Sequence, residues 1–171
     1  TVQKSSLNKS TVVNLETPIE KIATLLRTFY TVATQLTRRR NEAGTPRPTL
    51  TINDEYDVQD LLHALLKQHF LDIRPEEWNP SYAGAATRSD FLIKTEQIVI
   101  EVKKTRAGLT DREVGEQLII DKEKYKKHPD CKTLICFVYD PEKRLVNPHA
   151  IINDLKEIGD SFSVLVFMNP I

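Results

Sequence analysis

The stretch RSDFLIKTEQIVIEVKK, Arg88 to Lys104, holds two short apolar runs, Phe91-Leu92-Ile93 and Ile98-Val99-Ile100, around the polar tetrapeptide Lys94-Thr95-Glu96-Gln97. Paired as an antiparallel hairpin, Ile93 faces Ile98, Leu92 faces Val99 and Phe91 faces Ile100. The next pair outward is Asp90 opposite Glu101, and the two-residue period of a strand puts Lys103 on the same face as Glu101. Facing residues have Cβ atoms roughly 4.5 to 5.5 Å apart. One hairpin end therefore gathers two carboxylates and an ammonium.

Like charges set opposite each other destabilise a sheet, and a hard cation removes the conflict. Mg²⁺ takes oxygen ligands, keeps several waters and binds through one or two carboxylates together with phosphate oxygens of a substrate. The expected ligands are Asp90, Glu101 and the backbone carbonyl of Val102, with Mg²⁺ or Mn²⁺ as the ion. Such an ion lowers the pKa of water and stabilises charge on a phosphate, while Lys103 orients the attacking water or neutralises a phosphorane-like transition state. Glu-x-Lys alone carries little information in a chain with 28% charged residues. Its register with Asp90 gives it meaning.

The flanking sequence predicts one α/β domain. Ile19, Ile22, Leu26, Phe29, Ala33 and Leu36 recur at helical steps, predicting an amphipathic helix from Thr17 to about Arg40, broken by Gly44-Thr45-Pro46-Arg47-Pro48. A second helix is expected from Asp54 to about His69, with Asn53 as N-cap and a stripe of Val58, Leu61, Leu62, Leu65 and Leu66. Phe70 to Arg74 reads as a short strand and Pro75 to Thr87 as a loop containing Pro80 and Gly84. After the hairpin, Thr110-Asp111-Arg112-Glu113 has the form of a capping box and starts a helix running to about Lys127. The continuous apolar run Thr133 to Tyr139, bounded by Asp140-Pro141, fits a strand covered on both faces. Asn147-Pro148 opens a short helix closed by Gly159, and Phe162 to Met168 is the last strand. The expected fold is a mixed central sheet flanked by helices, with residues 1–50 a helical extension and residues 51–171 the domain proper.

Composition excludes several classes. No window approaches the roughly 18 apolar residues of a membrane span, and the polar start TVQKSSLNKS lacks a signal core. A soluble, cytoplasmic protein is expected. The chain begins without Met, which fits a piece of something longer. Cys131 and Cys136 offer no disulfide framework, and His63, His69, His128 and His149 lack zinc-ligand spacing. The net charge is zero, yet residues 1–50 hold eight Lys/Arg against three Asp/Glu, so a basic start precedes an acidic remainder. Zero net charge argues against indiscriminate coating of nucleic acid and leaves room for a local basic groove.

Asp90, ten intervening residues and then Glu101-Val102-Lys103 resemble the signature of the PD-(D/E)XK, or restriction-endonuclease-like, nuclease superfamily. The helix-strand-strand-strand-helix-strand order from Asp54 to Tyr139 is similar to its αβββαβ core. EYDVQDLLHALL, RSDFLI, IEVKKTR and CFVYDP look most like a bacterial branch related to DpnII/MboI-type enzymes. Ser89 stands where the motif's name has Pro. The resemblance implies a Mg²⁺-dependent endonuclease on DNA that leaves a 5′-phosphate, in restriction or anti-phage defence, as a homodimer or as the effector domain of a larger protein. It also implies a helper carboxylate on the first core helix, Glu55 with Asp57 in reserve. The polar stripe Gln117, Asp121 and Tyr125 faces the site, Gln117 foremost. Arg88, Lys104, Arg106, Lys122 and Tyr125 are candidate nucleic-acid contacts, with Lys124, Lys126, Lys127 and Arg38-Arg39-Arg40 as further basic residues. A catalytically silent nuclease-fold module and a ribonuclease remain alternatives.

Overall fold

The computed structural model describes residues 16–37, 49–78 and 88–171. Helix α1 (Pro18–Thr37) opens with Thr17 and Glu20 exchanging side-chain bonds to each other's backbone amides, and with Pro18 in its first turn. Helix α2 (Glu55–Leu66) follows, then strands β1 (Arg74–Trp78), β2 (Arg88–Ile93) and β3 (Ile98–Lys104). Helix α3 (Asp111–Tyr125) begins at the expected Thr110/Glu113 capping box. Strand β4 (Thr133–Tyr139), helix α4 (Pro148–Leu155), capped by Asn147, and strand β5 (Ser163–Asn169) complete the chain.

The strands form one five-stranded sheet in the order β1-β2-β3-β4-β5. The first three are antiparallel neighbours and the last three are parallel. The hairpin register is the expected one: Ile93 with Ile98, Leu92 with Val99 and Phe91 with Ile100. Parallel neighbours need a crossover, and α3 and α4 supply these, packing Val114, Leu118, Tyr125, Ile151 and Leu155 on one sheet face with Val99, Cys136 and Val166. Helices α1 and α2 cover the other face, with Ile22, Leu26, Phe29, Val58 and Leu62 against Phe91, Ile100, Ile135 and Phe137. Strand β4 is buried almost throughout, as its unbroken apolar run requires.

Several expectations need correction. The first strand is not Phe70 to Arg74 but Arg74–Trp78, within the stretch read as loop. Phe70 instead closes α2, its amide bonding to the Leu66 carbonyl while its ring joins the core. Strand β1 lies at the sheet edge, where Pro75 costs no ladder bond. Asp54, not Asn53, caps α2: it accepts from the Asp57 amide, and Asp57 accepts from the Asp54 and Asn53 amides. Gly159 lies beyond the end of α4, at a turn where a Cβ would stand 2.8 Å from the Phe162 carbonyl oxygen. The breaker Gly44 to Pro48, Arg38-Arg39-Arg40, and Pro80 and Gly84 fall outside the described residues. Among the described residues, no helix is long and apolar enough to cross a membrane.

Helix α1, assigned from sequence to an extension, shares the core of the sheet. The Phe29 ring meets Phe137 and Tyr139 edge-on at 5.1 Å each, and Asn169 ties the Tyr30 amide and the Arg27 carbonyl to the end of β5. Truncating a fully buried Phe typically costs about 3–5 kcal/mol. Phe29→Ala should therefore reduce the unfolding free energy of the whole domain by that order, read as a lower denaturant midpoint in a single transition. An unchanged midpoint would mark α1 as a detachable appendage.

Candidate active site

Strand β3 outruns its antiparallel partner. Its pairing with β2 stops at Ile100, whereas its pairing with β4 continues through Lys104 opposite Tyr139. The amides of Val102 and Lys104 point to the edge that β2 has left, because alternate residues of a strand share an edge. Side-chain carboxylates take the place of the missing strand. The Val102 amide donates to Asp90 Oδ2 at 2.7 Å, and the Lys104 amide donates to Glu55 Oε2 at 3.2 Å.

Asp90 was expected as the next ladder partner of Glu101, and here the structure departs from that reading. The ladder ends one residue earlier, and Asp90 reaches along the edge to Val102 instead. On its other side, the β1–β2 pairing passes from Pro75 with Phe91 to Glu77 with Ser89. It omits Glu76, whose φ of 50° interrupts the edge opposite Asp90. Strand β2 is thus released from both neighbours at Asp90. A residue's N–H and C=O point to the same edge, so the Val102 carbonyl also lies on the side of Asp90.

Glu101 projects onto the α3 face and is almost fully buried. Its Oε1 accepts the Tyr125 hydroxyl and lies 3.8 Å from Lys124 Nζ. Lys103 Nζ sits 3.6 Å from Glu101 Oε2 and 3.4 Å from Asp121 Oδ2. Asp121 Oδ2 is buried and makes no hydrogen bond apart from that ion pair. The four-residue spacing of Gln117, Asp121 and Tyr125 lays these groups along α3 over the end of β3.

Burial raises the pKa of both site carboxylates. For Asp90 it outweighs the Val102 amide and Lys103, and the pKa is raised to about 6. For Glu101, burial is reinforced by Asp90 and Asp121 against Lys103 and Lys124, and the pKa is raised to about 7. Lys103 behaves oppositely. Burial alone would lower its pKa, but Asp121, Glu101, Glu55 and Asp90 together hold it above the usual lysine value. It is a fixed cation and a donor, not a base.

A cleft of about 440 Å³ opens beside these groups, between the starts of α2 and α3. Glu55, Lys103, Lys104, Arg106 and Gln117 all line it. Asp90 lies just outside, in the wall of a second concavity that shares Tyr56 with the cleft. Arg88 lies at the start of β2, 3.0 Å from Glu76. Three sequence assignments change. Tyr125 is fully buried and holds Glu101, so it is not a surface contact for nucleic acid. Lys122 is one residue off the site-facing stripe and turns away to Glu157 at 2.7 Å. Asp57, the reserve metal residue, is committed to the α2 cap. Sequence reasoning found the stripe on α3 but missed that Asp121 is the counter-ion of Lys103 and that Lys124 approaches Glu101.

The donor set fits a hard cation. One buried and one half-buried carboxylate with raised pKa values, a backbone carbonyl on the same edge and a buried carboxylate oxygen without a hydrogen bond are all groups whose cost a divalent ion would relieve. Among the described residues, no group of three or more His, Cys, Asp or Glu side chains is arranged as a metal cage. The chain matches, over residues 20–171, the family model described as REase_DpnII-MboI. No curated protein and no solved structure matches it. With a mixed sheet flanked by helices and a match that spans the whole of that sheet, the chain belongs to the DpnII/MboI family of restriction endonucleases, whose substrate is DNA.

Proposed function

We propose that the protein is a Mg²⁺-dependent endodeoxyribonuclease whose centre is Asp90, Glu101 and Lys103. One observation carries this reading: the two carboxylates and the ammonium gather at the unpaired end of β3, beside a cleft walled by Lys104 and Arg106. Asp90, Glu101 and the Val102 carbonyl would hold the ion, with Glu55 assisting, and Mn²⁺ would serve as well. Bound there, the ion supplies Lewis acidity to the phosphate and acidifies water.

The chain's own groups do the rest. Lys103, charged at neutral pH, donates hydrogen bonds to the attacking water and to a non-bridging phosphate oxygen, and so offsets negative charge in the transition state. Asp121 holds that ammonium in place. Tyr125 and Lys124 fix the Glu101 carboxylate from the α3 side, and Gln117 lies within reach of the water or the phosphate. Lys104 and Arg106 neutralise neighbouring phosphates and set the register of the strand without reading its sequence. Water attacks phosphorus in line and the 3′ oxygen leaves, giving a 5′-phosphate. Cutting both strands of a duplex favours a homodimer, and restriction or anti-phage defence in the cytoplasm is the setting, with the chain alone or as the effector domain of a larger protein.

Lys103→Ala and Asp90→Ala should each reduce cleavage at least about a hundredfold while nucleic-acid binding persists. The assay is digestion of a plasmid and a single-stranded circle with Mg²⁺, with RNA substrates in parallel. Either variant cutting at the parent rate would sink the site, and exclusive cutting of RNA would replace the DNA reading.

The raised carboxylate pKa values predict a second behaviour. The fold favours the protonated forms of Asp90 and Glu101, so their contribution to stability is fully present below the ordinary carboxylate range. It is lost as pH rises through about 6 and about 7. In EDTA, the denaturant midpoint should fall between about pH 4.5 and pH 8, corresponding to a loss of several kcal/mol. Glu101→Gln should flatten the fall, and Mn²⁺ should raise the midpoint more at the upper pH than at the lower. A flat profile in EDTA would mean that the two carboxylates ionise without cost.

A further inference from the structure

Beside the cationic cleft lies a second concavity of about 260 Å³, and its chemistry differs. Tyr56, Gln59, Asp60 and His63 lie at i, i+3, i+4 and i+7 of α2 and form one wall. Glu76 and Asp90 lie across from them. Tyr56 lines both hollows and so forms the ridge between them. Its side chain is 67% exposed one residue from Glu55, in a position where core packing gives no reason for an aromatic ring.

The charge pattern separates the two hollows. The main cleft presents Lys103, Lys104 and Arg106 against Asp54 and Glu55, a net positive lining that suits a phosphate. The second presents Asp60, Glu76 and Asp90, with no Lys or Arg among the described residues lining it. Glu76 also holds Arg88 at 3.0 Å. His63 adds no charge, because burial, aided by Lys67, keeps its pKa below the ordinary histidine value. A phosphate would be repelled here. A flat heterocycle with amino groups would not, since carboxylates accept from exocyclic amines and the Gln59 amide can both donate and accept. The imidazole of His63 packs against the Phe91 ring at 5.5 Å, and its Nε2 is buried with no hydrogen-bond partner.

We infer that this concavity receives one unstacked nucleobase bearing an exocyclic amine, adjacent to the phosphate at Asp90, with Tyr56 as the stacking surface and Gln59 and the facing carboxylates as the polar contacts. The inference rests on the nuclease reading and deepens it. Asp90 belongs to the catalytic centre and to the wall of the hollow, so the base is a near neighbour of the cleaved bond. A base inside a duplex cannot reach such a hollow, so it is either extruded or already single-stranded.

The test uses the parent protein with Ca²⁺ in place of Mg²⁺ to hold the complex uncut, with a labelled DNA oligonucleotide that it cuts when Mg²⁺ is supplied. In the companion probes, 2-aminopurine is stepped through the positions flanking the cleaved phosphate. In the parent protein under these conditions, one position should change its fluorescence several-fold on binding. Adding Tyr56→Ala should abolish that response and weaken binding by between about fivefold and a hundredfold, the range for loss of one base–aromatic stack. Adding Tyr56→Phe instead should keep the response and bind within about threefold. Tyr56 is exposed, so folding is not at stake, and matched thermal midpoints will verify this.

If the parent cuts DNA but no position responds, or if Tyr56→Ala binds as tightly as the parent, the base site is overturned and the nuclease reading stands. If the parent neither cuts nor binds DNA, the nuclease reading fails and takes the base site with it.

Discussion

The site depends on two hydrogen bonds that replace a strand. Where β2 leaves β3, the Val102 and Lys104 amides would otherwise face water or a neighbouring chain, as on any bare sheet edge. Asp90 and Glu55 accept them instead. Each bond to a charged acceptor is stronger than a neutral one, and each also carries a carboxylate to the sheet edge. The same step frees the Val102 carbonyl on that side. One structural economy therefore satisfies the backbone and concentrates carboxylate and carbonyl oxygens at a single place.

The concentration is costly, and the surrounding groups show how the fold contains it. Glu101 is nearly inaccessible yet has the Tyr125 hydroxyl, Lys103 and Lys124 around it. Breaking such a buried set by removing one partner leaves an uncompensated charge, which is far more damaging than never having built it. Lys103 is pinned by Glu101 and Asp121 from β3 and α3 respectively. These two elements are locked together by the crossover that carries the chain from β3 to β4, so the ammonium is held by rigid elements and not by a loop. That is the condition the proposed mechanism sets for Lys103, a charge already in place that needs no reorganisation.

How much of this was legible in sequence follows from how local each feature is. The hairpin was readable because Phe91 to Ile93 and Ile98 to Ile100 can pair in only one register that keeps both runs apolar. Strand β4 was readable to the residue because burial on both faces leaves no polar interruption. Strand β1 was not, because RPEEW sits at an edge and has no need of an apolar pattern, whereas Phe70 looked like a strand residue only because it is a core residue. The N-cap of α2 was misplaced by one because Asn53 and Asp54 are equally good caps, and only the reciprocal bond from Asp57 chooses between them. In the site, Asp90, Glu101 and Lys103 come from one hairpin and could be placed together by counting. Asp121 and Tyr125 come from α3, and their partners depend on how that helix is rotated over the sheet, which a periodic stripe suggests without fixing. Burial of Tyr125 was hidden by the Lys residues on either side of it.

The acidic residues near the start of α2 show why sequence counts mislead about roles. Asp54, Glu55, Asp57 and Asp60 form a single acidic run that would favour the positive end of any helix dipole. In the structure they separate into different tasks: Asp54 and Asp57 close the capping box, Glu55 holds the β3 edge, and Asp60 faces the second concavity. The helical period sorts them, since adjacent residues point about 100° apart and only those three or four apart share a face. Tyr56 falls between Glu55, which secures β3, and Asp57, which closes the capping box, so its exposed ring is carried by a helix whose N-terminus is doubly bonded. A side chain needed only for solubility has no use for such an anchored position, whereas one that meets a flat ligand does.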